Sequence, residues 1–422
     1  MIETAVLRSL CLVVPVGLAL VLWRRPSRRM AGAALLAFLT AFVTIGLANQ
    51  VAMAAGWWRF EVTEGLFLGV PLDLWLGWAV LWGPVPLLIR RRPPIWVVVV
   101  AYGWLDLLLM PRLDSLLQLN HTWLYGELTA LLLGLPPALL IGRWTTDERH
   151  LTGRLLLQLA TFTGLVFWLL PAAVMSRGDG SWSHLREAPL WQSSTVLQLM
   201  ALAAVPGLSA MVEFATRGGG TPYPWDPPGA LVTTGPYAYV ANPMQLSAVL
   251  MLLLLAVGTH SWSLAVAAVG TVAFAQFVAD PHERGDLRER LGDEWLAYDT
   301  QVRPWRLRRT PYATEPAALY LSETCTICQQ TKSLVESTKP QYLVICAAEG
   351  YTVTGLRRAL YVRPDGLQAS GLAAVARGLE HGGPVWAYVG WAIRLPVVRP
   401  LLQLLVDGMG GGPRQLPRVE ES

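Results

Sequence analysis

The sequence predicts a multi-span α-helical membrane protein, about nine transmembrane helices, followed by a C-terminal α/β domain. Three observations predict it. Hydrophobic residues make up 53% of the 422 residues and charged residues only 15%, against roughly 25% charged in an ordinary soluble domain. The charges are uneven: residues 1–280 carry 30 of the 62 Asp, Glu, Lys and Arg, and residues 281–422 carry 32 in half the length. Apolar runs near the ~20 residues needed to cross a bilayer recur through the first two thirds and then stop.

The composition also excludes classes. The net charge of +4 is small, the only lysines are Lys332 and Lys339, and the arginines fall in links between apolar runs. That is no nucleic-acid footprint. Four cysteines cannot make a disulfide scaffold. No cleavable signal is expected, because no basic region precedes the first apolar run.

The runs cover approximately 5–23, 30–55, 66–89, 95–111, 123–142, 152–175, 190–214, 244–258 and 260–279. The last two are joined so tightly, through Gly258, Thr259 and His260, that they predict a helical hairpin. Arg24, Arg25, Arg28 and Arg29 follow the first run, Arg90, Arg91 and Arg92 the third, and Arg143, Arg149 and Arg154 surround the link after the fifth. The opposite links hold Arg59, Arg112, Arg177 and Arg186. Basic residues favour the cytoplasmic side, so in the cytoplasmic membrane the N-terminus is expected outside and everything beyond Asp280, the C-terminal domain included, on the cytoplasmic side. Many of the 19 tryptophans sit at run ends, where interfacial anchoring explains them. Asp73, Asp106 and Glu127 lie within or near apolar runs, where a charge costs at least ~2.5 kcal/mol. Three readings stand: they line a polar cavity, sit near an interface or pair with one another.

Residues 213–305 carry the first chemistry. Gly218 to Gly229 is dense in Gly and Pro and predicts a loop. Gly235-Pro236 predicts a turn. Asn242 followed by Pro243 predicts a helix start, because Asn caps well and Pro suits the first helical position. Such a start facing a glycine-rich loop can seat a carboxylate or phosphate. Beyond the hairpin, Trp295 and Tyr298 are spaced to share a helix face.

The first block reads Gly235-Pro236-Tyr237-Ala238-Tyr239-Val240-Ala241-Asn242-Pro243-Met244-Gln245-Leu246, and the second holds Glu283, Gly292, Trp295, Tyr298, Val302 and Trp305. Together they resemble the isoprenylcysteine carboxyl methyltransferase and phospholipid methyltransferase family of membrane enzymes. The resemblance implies S-adenosylmethionine as cofactor and an isoprenoid or other lipid-borne acceptor. It implies a cofactor site at Gly235, Pro236, Tyr237, Tyr239, Asn242, Pro243, Glu283 and Tyr298. The amides near Asn242 would take the cofactor's carboxylate, Glu283 its ammonium, and the tyrosines its adenosine and sulfonium. The chain departs from the family at Ala241, where the family has Arg, and at Arg284, where it often has a second Glu.

The C-terminal third reads as strand, Cys325-Thr326-Ile327-Cys328, then helix, with further strands at 341–346 and from Arg358 towards Gly366, and helices at 369–380 and 385–409. A Cys-x-x-Cys opening a helix after a strand is a thioredoxin-like arrangement; the helix N-terminus stabilises the first thiolate. Cys325 is therefore expected to be the attacking thiol and Cys328 the resolving one. Zinc is the rival reading, but it needs four ligands and neither a second Cys pair nor a nearby His stands in the sequence. No metal site is expected, and Cys346 reads as a buried strand residue. The segment resembles the DCC-type thiol-disulfide oxidoreductase family, with Ser322-Glu323 in place of its Asp-Gly and Thr326 in place of its Pro.

The expected domains are thus 1–188, a helical membrane region; 189–310, methyltransferase-like; 313–415, thioredoxin-like; and 416–422, a disordered tail. The expected partners are the membrane, a lipid or isoprenoid substrate and a thiol partner of the tail, with no nucleic acid. The alternative is a membrane-anchored thiol-disulfide oxidoreductase on a non-catalytic methyltransferase-like scaffold. A non-catalytic lipid-binding protein is a third reading.

Overall fold

The structure is a computed structural model. It describes residues 2–223, 225–226, 228–274, 276–277, 280–351 and 356–413, without the side chains of 2–3, 274, 280–284 and 286. The expected tail at 416–422 lies outside the described residues. The chain divides into two compact units, Met1–Gly178 with Gly220–Pro227, and Asp179–Gly219 with Pro228–Ser422.

The first unit is helical. Helices α1 (Ile2–Leu22) and α2 (Arg28–Ala54) are followed by short strands β1 (Trp58–Phe60), β2 (Leu66–Phe67) and β3 (Val70–Pro71). Then come α3 (Leu72–Trp82), α4 (Pro84–Leu88), α5 (Ile95–Leu109), β4 (Leu117–Leu119), α6 (Trp123–Asp147), α7 (Leu151–Gly164) and α8 (Leu170–Met175). The run predicted at 66–89 breaks at Gly83, because Pro84 and Pro86 cannot continue the backbone ladder of α3. Helix α2 packs on α6, and α1 on α3, around a core that includes Val43, Trp75, Trp82, Leu135 and Leu139. Gly77 makes the close α1–α3 approach possible, since a Cβ there would lie 1.9 Å from the Cys11 carbonyl oxygen.

The links of this unit sort by end. At one end Arg29 pairs with Glu148, Arg92 pairs with Asp147 at 2.7 Å, and Arg143 donates to the Pro93 carbonyl. The three arginine-rich links therefore share one end. At the other, β1 pairs antiparallel with β4, with Arg59 opposite Gln118.

The second unit contains α9 (Trp182–Glu187), α10 (Leu190–Glu213), α11 (Pro243–Thr259), α12 (Trp262–Phe274) and α13 (Asp280–Gln301). The predicted hairpin is α11–α12, turning at His260, which adopts a left-handed conformation. The C-terminal part runs β5 (Ala317–Leu321), α14 (Thr326–Ser337), β6 (Leu343–Ala347), β7 (Leu360–Val362), β8 (Gln368–Ser370), α15 (Leu372–Leu379), α16 (Pro384–Arg394) and α17 (Val398–Val406). Its sheet has the order β6-β5-β7-β8, with β5–β6 parallel and the other pairs antiparallel. Cys346 lies half-buried in β6.

Among the described residues, six helices are long and apolar enough to cross a membrane: Thr4–Leu22, Arg28–Ala54, Ile95–Arg112, Trp123–Asp147, Leu151–Met175 and Leu190–Gly218. The runs at 66–89, 244–258 and 260–279 form shorter apolar helices. The protein is an integral membrane protein by this measure. The stretch at 385–409 is not one helix but α16 and α17, bent by 92°; Leu395 and Pro396 break it, because Pro restricts the residue before it to extended backbone.

Candidate functional site

Gly235–Ala238 forms one turn of 3-10 helix, with Gly235 at φ +61°. This left-handed conformation favours glycine. Space demands it too: a Cβ would meet the Glu213 side chain at 2.7 Å. Pro236 suits the first position of the turn, and Tyr237 and Tyr239 are both buried. Helix α11 starts at Pro243 as expected. Asn242 occupies the cap position, but its side chain makes no cap bond and donates instead to Gln245 Oε1 at 3.2 Å. The first-turn amides therefore stay without a side-chain acceptor.

The two sequence blocks fold together. The Tyr298 hydroxyl donates to the Tyr237 carbonyl at 2.8 Å. The backbone of the first block is clasped by the segment after α13: Ala241 N–H to Arg303 O at 3.1 Å, Arg308 N–H to Tyr239 O at 3.0 Å and Tyr312 N–H to Ala238 O at 2.8 Å. Trp295 and Tyr298 are both buried in α13, as their spacing predicts, and Val302, just past its end, is buried too. Gly292, at φ +56°, breaks α13 ahead of these residues. Burial pushes the Tyr298 hydroxyl far above its ordinary pKa, so it is a donor at any physiological pH. The side chain of Glu283 lies outside the described residues.

Sequence reasoning missed the charges beneath this turn. Glu213, at the end of α10, is 1% exposed. Its Oε1 accepts from Arg377 Nη2 and Arg394 Nη1, each at 2.6 Å, and its Oε2 from the Thr234 hydroxyl. Glu380 completes the cluster, accepting from Arg394 Nε at 2.5 Å and Arg377 Nη1 at 3.3 Å. The Tyr239 hydroxyl donates to the Glu380 carbonyl. So α15 and α16 grip the Gly235–Tyr239 turn from below. The only signal in the sequence was a glutamate at the edge of an apolar run and two arginines in apolar helices, with nothing to say they meet.

Residues 198–293 match the phospholipid methyltransferase family. No curated protein and no solved structure matches the chain. The matched segment holds α11, α12, the whole first block and, of the second, Glu283 and Gly292.

The tail presents a second cluster. Cys325 sits at the cap position of α14 and Cys328 in its first turn. Cys325 is buried, Cys328 half-buried, and both face a cavity of about 160 Å³. Glu323, beside the pair, is exposed and points its backbone N–H at Glu349. Burial alone would raise the Glu349 carboxyl, but hydrogen bonds from the Ser322 hydroxyl and nearby amides overcome it and hold the group below its usual value.

In the first unit the three intramembrane acids part ways. Asp73 pairs with Arg8 at 2.6 Å. Asp106 and Glu127 face a cavity of about 30 Å³ together with Asn49. Among the described residues no group of three or more His, Cys, Asp or Glu is placed to hold a metal ion.

Proposed function

We propose that the protein is an integral membrane S-adenosylmethionine-dependent methyltransferase acting on an isoprenoid or other lipid-borne acceptor, with an appended DCC-type, thioredoxin-like thiol-disulfide domain. The observation that carries the reading is that the family match covers residues 198–293, which hold the whole first block together with Glu283 and Gly292 of the second. The residues fit the cofactor. The α11 start lacks a side-chain cap, which suits a carboxylate.

When bound, the cofactor supplies an electrophilic methyl group for direct displacement. The protein's part is positioning in a dry pocket, not strong base catalysis. The α11 amides would hold an anion, Glu283 would pair with an ammonium, and the ring of Tyr237 would pack against the cofactor. Tyr298 fixes the Tyr237 backbone. Tyr239 belongs to the same turn, and its hydroxyl ties that turn to α15.

The tail reading rests on a dithiol at a helix start, a strand order of β6-β5-β7-β8 and a cavity beside the thiols. The proposed orientation has the N-terminus outside, the three short apolar helices crossing, and the tail on the cytoplasmic side. The proposed domain limits are 1–188, 189–310 and 313–415. Titration calorimetry of the purified protein in detergent with S-adenosylmethionine is the test. Saturable one-to-one binding is expected. Absent binding, with the dithiol still redox-active, would move the assignment to the oxidoreductase alternative.

A further inference from the structure

The cavity beside Cys325 and Cys328 is lined mainly by apolar side chains, among them Leu321, Ile327, Leu372, Val375 and Val406. One wall is α17 and the turn after it, held in place at the polar edge by Arg358, which forms a two-pronged pair with Asp407, and by Gln403, which donates to Asp407 at 2.7 Å. Helix α17 is amphipathic. Val406 and Gln403 face the cavity, while Leu401, Leu404, Leu405 and, beyond the helix, Met409 are all more than half exposed. A contiguous apolar face of this kind needs a cover.

The packing of the neighbouring helix points to the cover. Helix α16, which leads into α17, packs on α10 through Ala387 and Trp391 against Val205, and the Tyr388 hydroxyl donates to the Leu202 carbonyl at 2.8 Å. Leu202 lies near the middle of the candidate span Leu190–Gly218. If α10 crosses the bilayer, α16 is inside its depth, and α17, turned by 92°, leaves from there. A helix that lines a cavity with one side and exposes leucines on the other, beside a candidate span, is placed to rest its leucines in the bilayer interface.

We propose that the Cys325–Cys328 pocket takes an apolar disulfide delivered from the bilayer, with α17 as the membrane-facing wall of the pocket. The inference rests on the thiol-disulfide reading of the tail. In the reaction the Cys325 thiolate attacks one sulfur of the substrate, forming a mixed disulfide and releasing the first thiolate. Cys328 then attacks Cys325 Sγ, closing the protein disulfide and releasing the second. The substrate gains two electrons and two protons, both lost by the cysteine pair, and a small-molecule thiol restores the protein dithiol.

The test uses the full-length reduced protein in phospholipid nanodiscs. One arm supplies didodecyl disulfide within the bilayer, the other a water-soluble anionic aryl disulfide. Oxidation is read by mass on the peptide carrying both cysteines. The expected result is that both reagents close the disulfide, and that L404R and L405R slow the bilayer-borne reaction at least tenfold while leaving the soluble one unchanged. The unchanged arm also shows that the variants fold. Oxidation by the soluble reagent alone, or equal effects of the variants on both arms, would overturn the membrane delivery and leave the redox reading standing. Oxidation by neither would overturn both.

Discussion

Two sets of arginine–carboxylate pairs hold this protein in different ways. In the first unit, Arg92–Asp147 lies at the end of the helices, with side chains 27% and 44% exposed. In the second, Glu213, Arg377, Arg394 and Glu380 form a closed cluster with every side chain at or below 10% exposure. Water screens the first set, so it contributes little to stability while still marking an end of the bundle. The second set lost its water on folding, so each charge depends on its partners. Identical residue types therefore act as a topology signal in one place and as a structural joint in the other.

The largest effect should come from breaking the joint. Arg377→Ala leaves Glu213 with two of its three donors and Glu380 with one of its two, both still buried, and unpairing a buried ion of this kind costs about 3–5 kcal/mol. The Gly235–Tyr239 turn sits on Glu213, so unfolding in detergent should occur at lower denaturant and the turn should become protease-sensitive. The double change Glu213→Leu with Arg377→Met should recover most of the loss, because an apolar pair needs no partner. A single variant as stable as the parent would mean that the cluster is solvated.

Next comes the cofactor. Glu283→Ala should weaken S-adenosylmethionine binding by removing the anion proposed for its ammonium. A charged hydrogen bond is worth ~1.5–3 kcal/mol, or roughly ten- to a hundred-fold in affinity. Calorimetry on the folded variant decides it: unchanged affinity removes Glu283 from the site.

The comparison also explains what the sequence made legible. The apolar runs, the hairpin at His260, the turn at Gly235 and the helix start at Pro243 are local features, written in periodicity and in Gly and Pro. So was the shared face of Trp295 and Tyr298. The Glu213 cluster was invisible, because its members are 164 and 181 residues apart and no local rule couples them. The break between α16 and α17 was legible in Leu395-Pro396 but lost inside an apolar stretch read as continuous. The split of the third run at Gly83 was missed for the same reason. Asn242 illustrates a subtler limit: the sequence placed it at the cap but could not show that its side chain would turn to Gln245.

A third prediction probes the joint through pH. His381 lies on the α15 side of the cluster, buried. Its Nδ1 donates to the Gln341 carbonyl at 2.7 Å, since a carbonyl can only accept, and its Nε2 accepts from the Tyr361 hydroxyl at 2.9 Å. The neutral ring satisfies both nitrogens, with no charge to desolvate. Burial, with Arg363 and Arg377 nearby, lowers its pKa from 6.5 to about 4, although the bond to Gln341 works the other way. The unfolded chain therefore binds the proton first. The contribution is present in full above pH 6.5 and is lost as pH falls towards 4, about 2 kcal/mol between pH 7 and 5. His381→Gln should flatten that part of the stability profile, and an unchanged acid limb would show that another group sets it.

The smallest effect should come from the exposed pairs, and there the interest lies in what does not change. Asp147→Asn removes the partner of Arg92, yet an exposed pair is worth less than about 1 kcal/mol, and raising the salt should shrink the difference further. Orientation should be untouched, because basic residues set it and acids contribute little. Cysteines introduced at 60 and 220 should label from opposite sides of the membrane in the parent and in Asp147→Asn alike. The arginine-rich links share one end of the first unit, and β1, which holds Phe60, pairs at the other. Labelling of both positions from one side would break the arrangement of the first unit itself. A large loss of stability in Asp147→Asn would instead mean that this end of the bundle is as dry as the Glu213 cluster, and that the contrast between the two sets of arginines is one of degree.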